Sequence, residues 1–313
     1  MGATARVEVK GLVRHFGATK AVDGVSFVFG AGQVFGFVGP NGAGKTTTMR
    51  IMATLDEPTD GDVFLDGVSV REEPERVRRV VGYVPDTLPS HHDITVHEYL
   101  DFFARAYGLK GAALNRAVEG VKEFAGLIDI QDKLLKSLSK GMKQRVSLGR
   151  ALVHDPQILL MDEPAAGLDP RARIQLRELI VALAEMGKAI LISSHILSEL
   201  AEMCHGVVII EQGRILETGM LDEILAKTAA TQTIAVSTAG ALELLLADAS
   251  MLPCVQDARV SGKELRIVID DSNEARALLL KSLIERGHQL IEFRRLNADL
   301  EDVFMRVTNG RVQ

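Results

Sequence analysis

The octapeptide Gly39-Pro40-Asn41-Gly42-Ala43-Gly44-Lys45-Thr46 limits what this chain can fold into more than any other stretch. It fits the spacing GxxxxGK[ST]. The apolar run Val34–Val38 leads into it, and a helix-prone segment from Lys45 to Leu55 follows. In that context the glycines let backbone N–H groups turn inward around phosphate oxygens, and the helix N-terminus adds its positive dipole. Lys45 is then placed to reach β- and γ-phosphates and the Thr46 hydroxyl to ligate Mg²⁺, with Thr47 next to it in the first helical turn. A strand, a phosphate loop and a helix in succession predict an α/β domain of the P-loop type around a mainly parallel sheet.

A phosphate loop needs carboxylates to complete it. Ile158-Leu159-Leu160-Met161-Asp162-Glu163 reads as an apolar strand ending in two of them. Asp162 at the strand end is placed to support Mg²⁺ from its second side. Glu163, one residue on, points elsewhere and is the candidate to take or orient the proton of an attacking water. A further strand, Ile190–Ser193, ends in Ser194-His195, where the imidazole can donate to a γ-phosphate or to that water. Lys45 and Asp162 lie too far apart in sequence for a simple loop, so a folded insert is expected between them.

Composition removes several other classes. The net charge is −6, Trp is absent and aromatics make up 4%, which argues against a basic or stacking surface for nucleic acid. The two cysteines, Cys204 and Cys254, have no metal-ligand spacing and are expected as reduced thiols. His91-His92 likewise lack ligand spacing and are expected on a loop or the surface. The first residues hold no apolar core of a signal peptide, and no run of 18 apolar residues occurs, so a membrane role would need a partner.

Along the chain, Arg6–Val13, Val25–Phe29, Gln33–Val38, Arg78–Val84, Gln157–Met161, Ala189–Ser193 and Val207–Glu211 read as strands. Residues from His97 to about Leu152 turn helical, with Tyr99, Leu100, Phe103 and Tyr107 at helical spacing. The first domain is expected over 1–220, closing at Gly219, with a helical subdomain at about 90–152 and a linker over 221–230. Residues 231–313 then read as β-α-β-β-α-β, a small α+β module of the ferredoxin-like, split βαβ type. Its expected elements are strands Thr231–Ser237, Pro253–Val260, Glu264–Ile269 and Gln289–Phe293, with helices Ala241–Ala249 and Asn273–Arg286. A last amphipathic piece, Asp299–Val307, ends the chain.

Taken in order, these pieces resemble the nucleotide-binding subunits of ABC transporters. Leu138-Ser139-Lys140-Gly141-Met142-Lys143-Gln144-Arg145 resembles the family signature, and Gly167-Leu168-Asp169 resembles its D-loop. The resemblance spans residues 6–220. It implies ATP and Mg²⁺ as ligands, His195 as the switch histidine and Phe16 as the aromatic that stacks on adenine. It also implies a head-to-tail dimer, with a second copy or a close homologue, in which Ser139 and Gly141 serve the ATP of the opposite subunit. Two departures stand out. Asp86 occupies the place where the family usually has Gln, adding a carboxylate that can touch Mg²⁺ or its water, and Lys140 and Met142 replace Gly and Gln in the signature. Lys140 either assists the γ-phosphate or is simply solvated.

The Leu-Ser-Lys-Gly-Met form, together with Leu300-Glu301-Asp302-Val303-Phe304, resembles exporter ATPases of the daunorubicin-resistance type. The expected function is therefore the cytoplasmic, ATP-hydrolysing motor of a membrane exporter, held on the inner face of the membrane by a separate permease. Leu88, Pro89, Ile94, Val96, Tyr99 and Phe102 are candidates for the groove that receives the permease, or else for ordinary core. The alternative is a soluble ABC ATPase acting on ribosomes or DNA. Such proteins usually carry two ATPase domains, coiled coils or basic arms, and this chain has one phosphate loop and an acidic balance. The C-terminal module is expected to serve assembly instead of binding a regulator.

Overall fold

The computed structural model describes residues 5–87, 93–227, 231–296 and 303–304. It divides into two compact units, Met1–Met220 and Leu221–Gln313.

The first unit opens with β1 (Arg6–Phe16), β2 (Thr19–Gly30), β3 (Val34–Val38) and α1 (Lys45–Met52). Next come β4 (Asp60–Leu65), β5 (Val68–Ser69), α2 (Pro74–Val80) and β6 (Val81–Val84). The helical insert holds α3 (Val96–Ala106), α4 (Gly111–Phe124) and α5 (Lys140–Leu152). The chain returns through β7 (Ile158–Met161), α6 (Pro170–Glu185), β8 (Ala189–Ser194), α7 (Leu197–Ala201), β9 (Gly206–Glu211) and β10 (Arg214–Met220).

An antiparallel sheet in the order β2-β1-β4-β5 accompanies a six-stranded sheet in the order β10-β9-β3-β8-β7-β6. Within the second sheet β9, β3, β8, β7 and β6 run parallel, and β10 closes the edge antiparallel to β9. Strands buried on both faces read as continuous apolar runs, which is why β3, β7 and β8 are legible in the sequence. The parallel register pairs Val38 with Ser194, Ile192 with Met161, and Met161 with Val84. The residues that follow these strands therefore gather at one sheet edge, where open parallel sheets bind ligands.

Several sequence expectations change here. Arg78–Val80 are helical: Pro74 stands in the first turn, Glu75 pairs with Arg78, and Val77 is the buried face of α2, so the strand begins only at Val81. Strands β4 and β10 escape a sequence reading because their ends look like turns. In β4, Gly61 sits where a Cβ would lie 2.2 Å from the Gly11 carbonyl oxygen, so its glycine serves close approach to β1. Gly219 lies inside β10, paired with Val207, one residue before the first unit ends at Met220. Val96 and Tyr99 pack into the insert as core, whereas Phe102 is exposed. Leu88, Pro89, His91 and His92 lie outside the described residues. Cys204 is buried and Cys254 half-buried, both free, and burial pushes both thiols up from their ordinary range.

The second unit runs α8 (Leu221–Lys227), β11 (Thr231–Thr238), α9 (Leu242–Ser250), β12 (Val255–Ser261), β13 (Glu264–Asp270), α10 (Asn273–Glu285) and β14 (Leu290–Leu296). Its sheet has the order β12-β13-β11-β14 and is antiparallel throughout, so the first and third strands lie side by side at its centre. Strict alternation along β13 buries Leu265, Ile267 and Ile269 against Leu245, Leu279 and Leu283 of the two helices. Val303 is buried and Phe304 half-buried, while Leu300, Glu301 and Asp302 lie outside the described residues. Ile267→Ala is expected to lose about 2–5 kcal/mol of this unit's stability. Leu244→Ala, at a side chain 66% exposed, should lose almost none. Urea titration of both variants checks the contrast.

Candidate active site

The phosphate loop is held from three sides. A Cβ on Gly39 would lie 2.2 Å from the Ile210 carbonyl oxygen, and one on Gly44 would lie 2.4 Å from that of Ala21. Gly44 also has φ +106, in the region that L side chains rarely adopt. The Gly213 N–H donates to the Ala43 carbonyl at 3.0 Å, tying the loop to the turn between β9 and β10. Helix α1 starts at Lys45 with no side-chain cap and no acidic residue in its first turn. Its leading N–H groups are thus available to an anion. They face a depression of about 280 Å³ lined by Ala21, residues 41–47, Asp86 and Glu163.

Lys45 reaches back over the loop. Its Nζ donates to the Gly39 carbonyl at 2.7 Å and the Pro40 carbonyl at 3.2 Å, and lies 3.6 Å from Glu163 Oε1. Burial pushes its pKa down, opposed by the carboxylates of Glu163 and Asp162.

The neighbouring carboxylates have different surroundings. Asp162 is buried; its N–H donates to the Val84 carbonyl, and its Oδ1 accepts from Ser193 Oγ at 2.6 Å. The same Ser193 oxygen accepts the Glu163 N–H at 2.8 Å. The sequence marks Ser193 only as a strand end. The available signal is that β8 is buried throughout, so a hydroxyl on it must find partners inside. Glu163 has φ +45, a left-handed conformation that costs a non-glycine residue about 1–2 kcal/mol. That turn lets its carboxylate meet Lys45 through Oε1 and His195 Nδ1 through Oε2, the latter at 2.8 Å.

The structure thus brings together Gly39, Pro40, Asn41, Gly42, Ala43, Gly44, Lys45, Thr46, Thr47, Asp86, Asp162, Glu163 and His195 around one sheet edge. Asp86 Oδ1 accepts from the Thr87 hydroxyl at 3.2 Å and lines the depression. Other candidates do not join this group. Phe16 ends β1 half-exposed, with the Arg14 guanidinium 4.5 Å above its ring, and does not line the depression. Ser139 caps α5 by accepting the Met142 N–H at 3.3 Å. Gly141 packs so closely on α6 that a Cβ would lie 2.9 Å from Ala172 Cβ. The Lys140 ammonium lies over Gly167, 2.6 Å from where a Cβ would stand.

The oxygens of Thr46, Asp86 and Asp162 are of the hard type that Mg²⁺ prefers. Among the described residues no cluster of three His, Cys, Asp or Glu could hold a metal unaided. Three such oxygen donors suit an ion that takes its remaining ligands from phosphate and water.

Residues 22–166 match the family model described as ABC transporter. The chain is 34% identical over 315 residues to the Nod factor export ATP-binding protein I of Ralstonia nicotianae, covering 100% of this chain and 97% of that protein. The protein of the same name from Paraburkholderia xenovorans is 35% identical, with 99% of each chain covered. A solved ATP-binding subunit of an ABC transporter superposes with TM-score 0.65 at 34% identity over 71% of this chain and 92% of that one. A bacterial Atm1-family ABC exporter with ATP bound gives TM-score 0.62 at 26% identity, over 72% of this chain and 40% of that one.

Proposed function

The chain belongs to the family of ABC transporter ATP-binding subunits, and from that premise we propose how its own residues drive export. The observation that carries this reading is the Lys45–Glu163–His195 constellation at the mouth of the phosphate loop. ATP enters with its phosphates on the amides of residues 41–47, and Lys45 exchanges its loop carbonyls for phosphate oxygens. Thr46 and Asp162, with Asp86 at the rim, would hold Mg²⁺, which would supply positive charge to the phosphate oxygens. Glu163 accepts the proton of the water that attacks the γ-phosphorus, while the bond to ADP breaks. His195 holds the Glu163 carboxylate in place and faces the same phosphate.

A second subunit completes the site. Ser139 and the start of α5 lie away from their own depression and present N–H groups to the phosphates of the opposite copy. ATP then binds the closed pair more tightly than the open one, and hydrolysis releases it. Phe16 supplies the stacking face for adenine, after Arg14 moves aside or stacks with it. The Leu138–Met142 form favours the daunorubicin-resistance type of exporter. An acidic balance of −6 favours a protein partner over nucleic acid.

No helix among the described residues is long and apolar enough to cross a membrane. In the family reading, a separate permease carries the cargo path and keeps this chain on the cytoplasmic face. Its docking groove lies between α1, α2 and the insert, walled by Leu55, Arg79, Tyr83, Phe103, Tyr107 and Arg150. Aromatic walls with guanidinium groups suit a short amphipathic helix that carries a carboxylate.

The test is copurification with the permease from detergent-solubilised membranes, together with phosphate release from Mg-ATP by the complex. Arg79→Glu is expected to reduce copurification at least about tenfold while ATP binding persists, because a reversed charge opposes the acidic helix. Unchanged copurification overturns the groove assignment. A complex that binds ATP and never releases phosphate overturns the functional reading.

A further inference from the structure

We infer that Arg173 and Glu199 form a positioning pair that couples the D-loop backbone at Leu168 to the histidine that sits on Glu163. The inference rests on the ATPase reading and adds two residues to it. Arg173, in the first turn of α6, uses both arms of its guanidinium. Nη2 donates to the Leu168 carbonyl at 3.2 Å, and Nη1 lies 2.8 Å from Glu199 Oε1. Glu199 is on α7, four residues after His195, and its side chain is only 11% exposed. His195 and Glu163 are both close enough to act on its charge. Burial pushes the Glu199 carboxyl up, and Arg173 is the largest influence pulling it back. One guanidinium spans both contacts at once, a hydrogen bond to the Leu168 carbonyl and an ion pair with Glu199, a reach that a single ammonium lacks.

Packing does not do this job by itself. On its inner side α7 is pinned to β3, because a Cβ on Gly36 would lie 3.1 Å from Leu200 Cδ1. Between α6 and α7, however, a cavity of about 280 Å³ remains, walled by Pro164, Ala165, Ile174, Ile180, Ile192 and Met203. Across such a gap side chains lack close contacts to set the distance between helices. Ion pairs set it instead: Arg173 with Glu199, and Arg177 with Glu202 one turn further along. Of these two, Arg173 alone also holds the D-loop carbonyl. Displacement of Leu168 is thereby carried through Arg173 to α7, and so to His195 against Glu163.

The experiment compares Arg173→Ala, Glu199→Gln and the double variant in the full chain, reading kcat and KM for Mg-ATP alongside the melting temperature. Each single variant is expected to lower kcat about tenfold while KM stays within about twofold, since positioning acts on the reacting geometry and not on phosphate binding. The double variant is expected to be no slower than the slower single, as for two residues acting as one unit. Singles that keep kcat and only melt earlier, or whose losses multiply in the double, overturn the proposal. Should the alanine variant not fold, Arg173→Lys carries the test. It keeps the charge opposite Glu199 without the second arm, so wild-type kcat in that variant also overturns the proposal. A wild type that hydrolyses nothing sinks the ATPase reading and the pair with it, whereas hydrolysis lost in Glu163→Gln but unaffected in these variants sinks the pair alone.

Discussion

Glu163→Gln is expected to bind ATP and to lose nearly all phosphate release. The substitution keeps the size of the side chain and an oxygen able to meet Lys45, so the phosphate loop and the Ser193–Asp162 contacts persist. It removes the group we propose as the proton acceptor. General bases contribute about 10²–10⁴-fold, and a carboxamide cannot substitute for one, so the rate should fall by about that factor. Binding is expected to hold or tighten, because a carboxylate facing the γ-phosphate is replaced by a neutral group. With hydrolysis blocked, the ATP-closed pair accumulates, and size-exclusion chromatography should show a dimer only with nucleotide. Phosphate release at the wild-type rate would remove Glu163 from the role of base. Arrest without a dimer would instead mean that closure needs the permease or a different second subunit.

Gly44→Ala should abolish nucleotide binding by a wholly different route. A side chain at φ +106 is strained wherever it stands, and here its Cβ meets the Ala21 carbonyl oxygen at 2.4 Å. Relief requires either β2 or the loop to shift, and the loop is the softer of the two. Once it shifts, the amides of residues 41–47 no longer converge on one point, and the start of α1 tilts away from the phosphate. Two lost charge-assisted hydrogen bonds at about 1.5–3 kcal/mol each correspond to an affinity loss of at least about a hundredfold. Titration with a fluorescent ATP analogue measures it. Gly42→Ala provides the internal contrast: its φ is +79, but a Cβ there meets nothing within 4 Å. It should retain much of the binding that Gly44→Ala loses.

Residues 39–47 can be found from the chain alone because everything the phosphate loop needs is contiguous: a buried strand, glycines and an uncapped helix start. Asp162 and Glu163 are legible for a related reason. A phosphate loop creates a need for a metal-supporting and a proton-accepting group, and an apolar strand ending in two carboxylates offers a candidate for each. Local pattern fails where two arrangements share one period. Val96 and Tyr99 repeat at helical spacing whether the face is a groove or a core, and burial assigns them to the core. Arg78–Val84 joins a helix end to a strand start with no breaker between them, and only the i,i+3 pairing of Glu75 with Arg78 and the buried Val77 separate the two.

What the sequence by itself determined is the class of site, an anion-binding loop with a carboxylate strand to serve it, because those elements are set by backbone conformation and side-chain chemistry within a few residues. Tertiary structure alone decided how the parts face one another. The parallel register of β3, β8, β7 and β6 brings Lys45, His195, Glu163 and Asp86 to one edge from positions as much as 150 residues apart (Lys45 to His195). The left-handed turn at Glu163, the double contact of Ser193 and the Arg173–Glu199 ion pair exist only once that register has formed. Each of them depends on direction in space, and a one-dimensional pattern records spacing but not direction.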